Sequence, residues 1–276
     1  MQDKLFVTPE YVVAEDIKAI RKKLAIEFNG DYWHSDVVKD KYYHQRKTVA
    51  CSKLGIRLIH IFEYEWLDSN IRNKIKGILC SLLTNNKTIL HGRDVKVMEI
   101  SNSEAKEFAE KYHLSGGVNS NINIGCIYNN EIVGILTFGK PRFGGQCEYE
   151  LYRLCWKPDV VISGGFERMF RDFERRYTPT SIVTYTNIAK FTGTSYAKVG
   201  FSLVKELTEP NYVWVQISQR GHKIMPRYQT QKHLLIEAGY GHLGSTEKEI
   251  MENLGYARVY DCGNFKLEWR KSDSGS

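Results

Sequence analysis

Residues 24–34 read LAIEFNGDYWH and residues 56–66 read IRLIHIFEYEW, two short apolar runs that each lead into acids and aromatics. Leu24–Phe28 is interrupted by a single acid, and Ile56–Phe62 is rich in β-branched residues and nearly alternating, so both read as strands. Between them, Lys41–Leu54 has spaced apolar positions and stops at Gly55, the pattern of a helix closed by a glycine. Asp68–Leu83 places Ile71, Ile75, Ile78, Leu79 and Leu82 on one helical face. With a further strand expected before Leu24, residues 1–84 form a compact α/β unit. Residues 85–94 lie in the polar stretch TNNKTILHGRD and read as a linker.

Glu27 is the residue in this unit that asks for a reason. An acid between Ile26 and Phe28 in an apolar strand costs several kcal/mol, on the order of a buried unpaired charge, unless a cation compensates it. A strand-edge acid paired with a lysine is the plain alternative. A second acid, Asp16, precedes it across a basic turn of Arg21, Lys22 and Lys23, so the two can converge on one cation from neighbouring strands of a hairpin. Hard oxygen ligands of this kind suit Mg²⁺, or Mn²⁺ in its place, and phosphodiester hydrolysis uses such an ion to activate water. His34 follows Gly30 and Trp33 in an apparent loop, and imidazole suits proton transfer near neutral pH. His44 and Lys47 share one face of the expected helix.

The string IEFNGDYWH, followed by YHQRKT and GIRLIHIFEYEW, resembles the nuclease domain of phage homing endonucleases related to the very-short-patch (Vsr-like) mismatch repair endonuclease. That group is a branch of the restriction-endonuclease-like PD-(D/E)XK fold. The resemblance spans roughly residues 10–80. It implies that Asp16 binds Mg²⁺, that His34 contacts the hydrolytic water or the scissile phosphate, and that His44 orients a water. The lysine usual two residues after the second acid is absent. Asn29, a candidate DNA contact, stands there, and Lys47 is the candidate replacement for the missing charge.

A second pattern occupies residues 95–217. Ser103–Tyr112 reads as a helix; Ile122–Tyr128 and Ile132–Phe138 flank an Asn129–Asn130 turn as strands; Glu148–Trp156 is another strand. Gly164–Gly165 opens a helix through Tyr177, followed by a strand at Ser181–Thr186, a short helix at Tyr196–Gly200 and strands at Phe201–Lys205 and Tyr212–Ile217. The hairpin IGCIYNNEIVGILTFGKPR, the strand YELYRLCW, the turn VISGGFERMF and the run SYAKVGF resemble an acetyltransferase-type fold of the GNAT class, nearer to phage Mom-type DNA-modification proteins than to ordinary acetyltransferases. The resemblance implies that Ser163, Gly164 and Gly165 hold the pyrophosphate of an acetyl-CoA-type cofactor on helix amides. The usual arginine and third small residue of that motif are missing. The domain then reads as a cofactor-free derivative that holds DNA, as a DNA-modifying transferase, or as a structural appendage. Lys140, Arg142 and Arg153 are the foremost phosphate contacts on the first two readings, with Arg220, Lys223 and Arg227 behind them. Residues 218–276 extend this domain, with a helix at Thr246–Leu254 opened by a Thr246/Glu249 capping box.

Bulk properties agree with an anionic partner. The 276 residues carry 39 Lys and Arg against 32 Asp and Glu, a formal charge of +7, and double-stranded DNA is the partner expected. The N-terminal stretch MQDKLFVTPEYVV lacks a signal-peptide layout, the six cysteines form no CxxC pair, and no apolar run suits a membrane span, so a cytoplasmic location is expected. The expectation is therefore an α/β chain with an N-terminal restriction-endonuclease-like domain and a C-terminal GNAT-like domain, acting as a Mg²⁺-dependent DNA endonuclease. The alternative is a GNAT/Mom-like base-modifying transferase with a vestigial nuclease module.

Overall fold

A computed structural model describes residues 23–84, 87–143, 145–204, 207–217 and 223–271. The chain is mixed α/β and divides into two compact units. The second unit, residues 70–186, 193–207 and 265–276, is built on a seven-stranded sheet. Its strands are β4 (Lys96–Glu99), β5 (Ile122–Tyr128), β6 (Glu131–Gly139), β7 (Tyr149–Trp156), β9 (Ser181–Asn187), β10 (Ser202–Leu203) and β14 (Asn264–Arg270), in the order β10-β14-β9-β7-β6-β5-β4. Strands β4 to β7 form an antiparallel meander, whereas β7 and β9 run parallel. A parallel pair needs a crossover, and α6 (Gly165–Tyr177) lies in it. A further parallel pair joins β3 (Thr88–His91) to β8 (Val160–Ser163), so the β7–α6 connection carries a strand of its own.

The sequence of α6 explains its burial. Phe166, Met169, Phe170 and Phe173 recur at helical spacing and are buried, while Glu167, Arg171, Asp172, Arg175 and Arg176 pair with one another outside. Phe173 stacks on Phe138 of β6 with ring centroids 3.7 Å apart. On the same cluster pack Tyr196 from α7 (Thr194–Ala197), Phe201, and the alternate β14 residues Leu267 and Trp269. Helix α5 (Asn102–Tyr112) forms a separate cluster through Ala105, Phe108 and Ala109 with Ile135 and Cys155. Ile135 and Leu136 are neighbours on β6 that join different clusters, as strand alternation requires. The sheet is therefore covered on both faces.

The first unit comprises residues 1–69, 187–192 and 208–264. Strand β1 (Leu24–Asn29) pairs in parallel with β2 (Arg57–Phe62), with α1 (Asp31–His34) and α2 (Tyr43–Lys53) between them and α3 (Glu63–Leu67) after. Segment 187–192 contributes Lys190, whose ammonium donates to Glu65 Oε2 at 2.7 Å and to the carbonyl of His60. A second sheet, β12 (Ile224–Pro226), β11 (Tyr212–Gln216) and β13 (Tyr256–Tyr260), is antiparallel and buries Trp214 against Leu235 of α8 (Lys232–Glu237) and Ile250 and Met251 of α9 (Glu247–Asn253). Ser35 bridges Val259, and Arg258 donates through Nε to Asp36 Oδ2 at 2.7 Å. The Arg258 guanidinium also sits about 5.4–5.5 Å from the rings of Tyr212, Trp214 and Tyr260.

Several sequence expectations meet a different outcome. Helix Ser69–Leu83 (α4) forms as expected, though from residue 70 on it belongs to the second unit, and the strands expected at Leu24–Phe28 and Ile56–Phe62 form as β1 and β2; they pair in parallel, and Asp16 lies outside the described residues. His34 ends a one-turn helix rather than occupying a loop. The expected linker 85–94 contains β3, because Leu90 is buried in the α6 cluster. Residues 208–264 belong with the first unit and only 265 onward return to the large sheet, since alternate residues of β14 supply core side chains there. The capping box at α9 is split: Thr246 Oγ1 accepts from Glu249 N at 3.1 Å, but the Glu249 carboxylate turns back to Ser245 N and Oγ.

The stacked, fully buried Phe173 sets a test of the α6 packing. Phe173→Ala is expected to lower the unfolding free energy by roughly 3–5 kcal/mol in urea titrations followed by circular dichroism. A loss under about 1 kcal/mol would mean that this interface is not close-packed.

Candidate functional site

The parallel pair at the centre of the large sheet is short. Tyr149, Glu150 and Leu151 pair with Ile182, Val183 and Thr184; β7 then continues to Trp156 and β9 to Asn187 with no further pairing between them among the described residues. At the point of parting, Thr184 Oγ1 donates to the Leu151 carbonyl at 3.0 Å and so satisfies an acceptor that the ladder has left open. The register of β6 against β7 shifts at the same place, leaving Tyr152 as an extra residue. The result is a gap between two strands that begins at Leu151 and Thr184.

Tyr196 looks into this gap. Its ring is wedged edge-on between Phe166 and Phe201, both centroids 5.5 Å away, and its phenol lies beside the hydroxyls of Thr184 and Thr186. Burial raises its pKa, and the two threonines oppose that rise. The phenol is therefore protonated at neutral pH. At the far end of β7 lies the N-terminus of α6. Gly164 has φ +72°, open space where a side chain would be, and caps the helix without a side-chain bond. A Cβ on Gly165 would come within 2.9 Å of Ile162 and the Trp156 ring, so glycine is what lets the helix start this close to β7. The first intrahelical bond runs from Arg168 N to Gly164 O at 2.9 Å, leaving the preceding amides available to an acceptor. Beside the helix, Glu167, Phe170, Arg171, Glu174, Lys198 and Val199 line a groove of about 250 Å³.

The cationic candidates of this unit are held in different ways. Arg142 is ion-paired to Glu150, whose carboxylate is almost fully buried. Arg153 donates to the carbonyls of Gly116, Tyr152 and Ser115 at 2.9, 2.8 and 3.2 Å. Lys140 is exposed, and its carbonyl accepts from the Tyr152 hydroxyl at 2.6 Å. Ser163 and Gly164 are exposed at the helix start, while Gly165 is buried.

In the first unit the sequence candidates gather into one polar cluster. Lys47 Nζ donates to Glu27 Oε1 at 2.5 Å, so the strand acid has its lysine. Glu27 Oε2 lies 3.3 Å from His60 Nδ1. Asn29 Nδ2 donates to the same His60 nitrogen at 3.2 Å, and His60 Nε2 meets Thr48 Oγ1 at 2.8 Å while that hydroxyl donates to the His44 carbonyl. The network thus assigns the proton of neutral His60 to Nε2. His34 Nδ1 and His44 Nε2 share a hydrogen bond of 2.9 Å between stacked rings. Asp31 is buried; its amide donates to Glu63 Oε2 at 2.8 Å, and its carboxylate accepts from Tyr64 N. Asp16 lies outside the described residues. Among the described residues no group of three or more His, Cys, Asp and Glu side chains is placed to hold a metal ion.

Sequence reasoning missed Tyr196, Thr184 and Glu150 as site residues. Glu150 stands between Tyr149 and Leu151 as Glu27 stands between Ile26 and Phe28, so the same question about an acid in an apolar strand would have found it. Tyr196 and Thr184 are ordinary strand-and-helix residues in sequence and become notable only through the gap.

No family model matches the sequence, and no curated protein matches it. Among solved structures, the chain is similar to a GNAT family acetyltransferase from Elizabethkingia anophelis with acetyl-CoA bound: 12% identity over 64% of this chain and 99% of that one, TM-score 0.34. A putative streptothricin acetyltransferase from Bacillus anthracis in complex with acetyl-CoA matches at 10% identity over 64% and 99%, TM-score 0.35. A PaiA N-acetyltransferase from Thermoplasma acidophilum in complex with coenzyme A matches at 12% over 83% and 90%, TM-score 0.32. These neighbours are acetyltransferases and not nucleases, so the expectation of a Mg²⁺-dependent DNA endonuclease with hydrolase chemistry is corrected: none of the structures the chain is similar to supports it. No helix among the described residues is long and apolar enough to cross a membrane.

The histidine cluster has a definite pH signature. Burial, then the neighbouring His34, push His44 down to about 3; burial, then His44, push His60 well below its ordinary range. Burial and then Glu63 raise Asp31 to about 7. Below about pH 6.5 the unfolded chain protonates imidazoles that the folded chain keeps neutral, so both histidines remove stability as pH falls. Asp31 works the other way above about pH 4, leaving a net loss within this cluster of about 1.4 kcal/mol per pH unit on acidification. Urea unfolding of wild type and His44→Gln at pH 6.5, 5.5 and 4.5 (about these values) is expected to show a slope shallower by about one proton in the variant. Parallel slopes would contradict the assignment.

Proposed function

We propose that this chain is an acyltransferase that uses an acyl-CoA-type donor, with the gap between β7 and β9 as its reaction channel. The parting of the two strands at Leu151 and Thr184, with a protonated phenol inside it, is the observation that carries this reading. The residues present fit such a donor. A diphosphate would be held by the open amides at Gly165, Phe166 and Glu167, where the helix start favours negative charge and Gly164 presents no side chain. The edge of β7 beyond Leu151 offers backbone N–H and C=O groups that β9 does not use, which suits the amides of an extended arm. When bound, the donor supplies a thioester carbonyl to an incoming amine.

The chain's own residues do the rest. Thr184 fixes the width of the gap at its closed end through its bond to Leu151. Phe166 and Phe201 hold the Tyr196 ring so that its hydroxyl cannot swing out to solvent. Burial keeps the proton on Tyr196 Oη, from where it can be delivered to an anion formed in the gap. Arginine is absent from the phosphate turn, and Arg168, in the first turn of α6, donates instead to the Gly92 carbonyl. The helix amides therefore carry most of the anion binding.

Calorimetry of the full chain with acetyl-CoA is expected to give saturable binding, weakened about tenfold or more by Gly164→Asp, which sets a carboxylate against the incoming phosphates. Wild-type protein that binds no CoA thioester would end this reading. Tyr196→Phe is expected to keep that affinity and to lower transfer about 10²-fold in kcat, measured as CoA thiol release; equal loss of affinity would make Tyr196 a packing residue only.

A further inference from the structure

On helix α4, Lys74 falls three residues after Ile71 and four before Ile78, on the face that the apolar residues occupy. It is 8% exposed. Among the described residues its ammonium forms no hydrogen bond or ion pair. A buried cation is ordinarily paired with an acid, as Lys190 is with Glu65 and Lys47 with Glu27. Apolar packing accounts for the rest of this helix face but not for a lysine within it.

The groups around Lys74 are donors. Lys74 and Arg153 both act on the His113 ring and on the Cys155 thiol, which gathers them in one cluster on the α5 face of the sheet, within the second unit. The bonds from Arg153 to the carbonyls of Gly116, Tyr152 and Ser115 fix its guanidinium and leave one N–H on each terminal nitrogen. Ser115 N donates to His113 Nδ1 at 3.1 Å, so the neutral ring carries its proton on Nε2. Burial, then Arg153 and Lys74, push His113 down to about 3, and burial pushes the Cys155 thiol up to about 12, so neither adds a charge at neutral pH. The acids that act on Arg153 are engaged elsewhere, Glu150 by Arg142 and Glu110 by the Gly117 amide. Two cations and an imidazole N–H thus share a buried place that no carboxylate of the described residues fills.

We infer that Lys74, His113 and Arg153 bind the carboxylate of a small ligand, and that this ligand is the acyl acceptor, an amine that carries a carboxylate. The inference rests on the acyltransferase reading for the fate of the amine but not for the binding of the carboxylate. A flat carboxylate suits the fork left on a fixed guanidinium, and Lys74 lies too deep for a phosphate within a polymer strand to reach. Arg153 stands on β7 two residues past Leu151, about 7 Å along the strand, so a carboxylate held there leaves its amine one short chain away, at the closed end of the gap. In the transfer the amine nitrogen bonds to the acyl carbon and gives up one proton. The carbon–sulfur bond breaks with its electron pair left on sulfur, which takes one proton up.

The test is equilibrium binding of 5-aminopentanoate, pentanoate, pentylamine and inorganic phosphate to the full chain. Wild-type protein is expected to bind the two carboxylates, and Lys74→Met to weaken both about tenfold or more. That variant removes an unpaired buried cation and keeps the chain length, so its melting temperature is expected to hold or rise. A lower melting temperature with carboxylate binding intact would make Lys74 a structural residue and overturn the inference. Binding of pentylamine alone, or of phosphate in preference to both carboxylates, overturns it as well. With acetyl-CoA as donor, transfer to 5-aminopentanoate no faster than to pentylamine overturns the assignment as acceptor. If acetyl-CoA binds while no carboxylate does, only this inference falls; if the carboxylates bind through Lys74 and acetyl-CoA does not, the proposed acyltransferase falls and the carboxylate site stands.

Discussion

Three residue pairs hold β7 to β9, and then the ladder stops. Backbone amides and carbonyls in a sheet interior must find partners, so a sheet that opens in the middle needs substitutes. Thr184 supplies one by bonding the Leu151 carbonyl. Arg153 supplies another to the carbonyl of Tyr152 while it also bonds Gly116 and Ser115. Aromatic packing holds the opening from one side: Phe138, Phe166, Phe170, Phe173, Tyr196, Phe201 and Trp269 form a continuous cluster under α6 and α7. The gap, the phenol inside it and the glycine start of α6 at its far end all depend on that one interruption.

The first unit is held by a different kind of interaction. Its members come from three stretches of chain, and a buried lysine and a half-buried arginine tie them together. Lys190 joins segment 187–192 to β2 and α3, and Arg258 joins the 208–264 stretch to the segment after α1. Each cation is paired with a carboxylate and further contacted by carbonyls or rings, the condition under which burying charge is tolerable. Lys47 and Glu27 follow the same rule in the histidine cluster. Removing one member of such a pair leaves the other charged and buried, so these pairs constrain which pieces of chain can meet.

Much of the local structure was legible in the sequence. The period of Phe166, Met169, Phe170 and Phe173, the Asn129–Asn130 turn with both residues at positive φ, and the alternation of β5 and β6 each specify their element without help from distant residues. The grouping of Glu27, His34, His44 and Lys47 could also be read, since spacing placed them near two strands and one helix. Their chemistry was not legible. A carboxylate that holds an ion and one that holds a lysine have the same sequence signature, and the pairing of Glu27 with Lys47 is visible only in the fold.

Sequence by itself determined the α/β character of the chain, the α6 helix with its glycine start, and the acids that had to be compensated in β1 and β7. Tertiary structure decided which compensation each acid received, where β7 and β9 part, and that residues 208–264 fold with the first unit while 265–271 return to the large sheet. The reason is range. Periodicity, turns and caps are set by neighbours along the chain, whereas ion pairs, strand partners and gaps are set by residues far away in sequence, whose meeting no local pattern records.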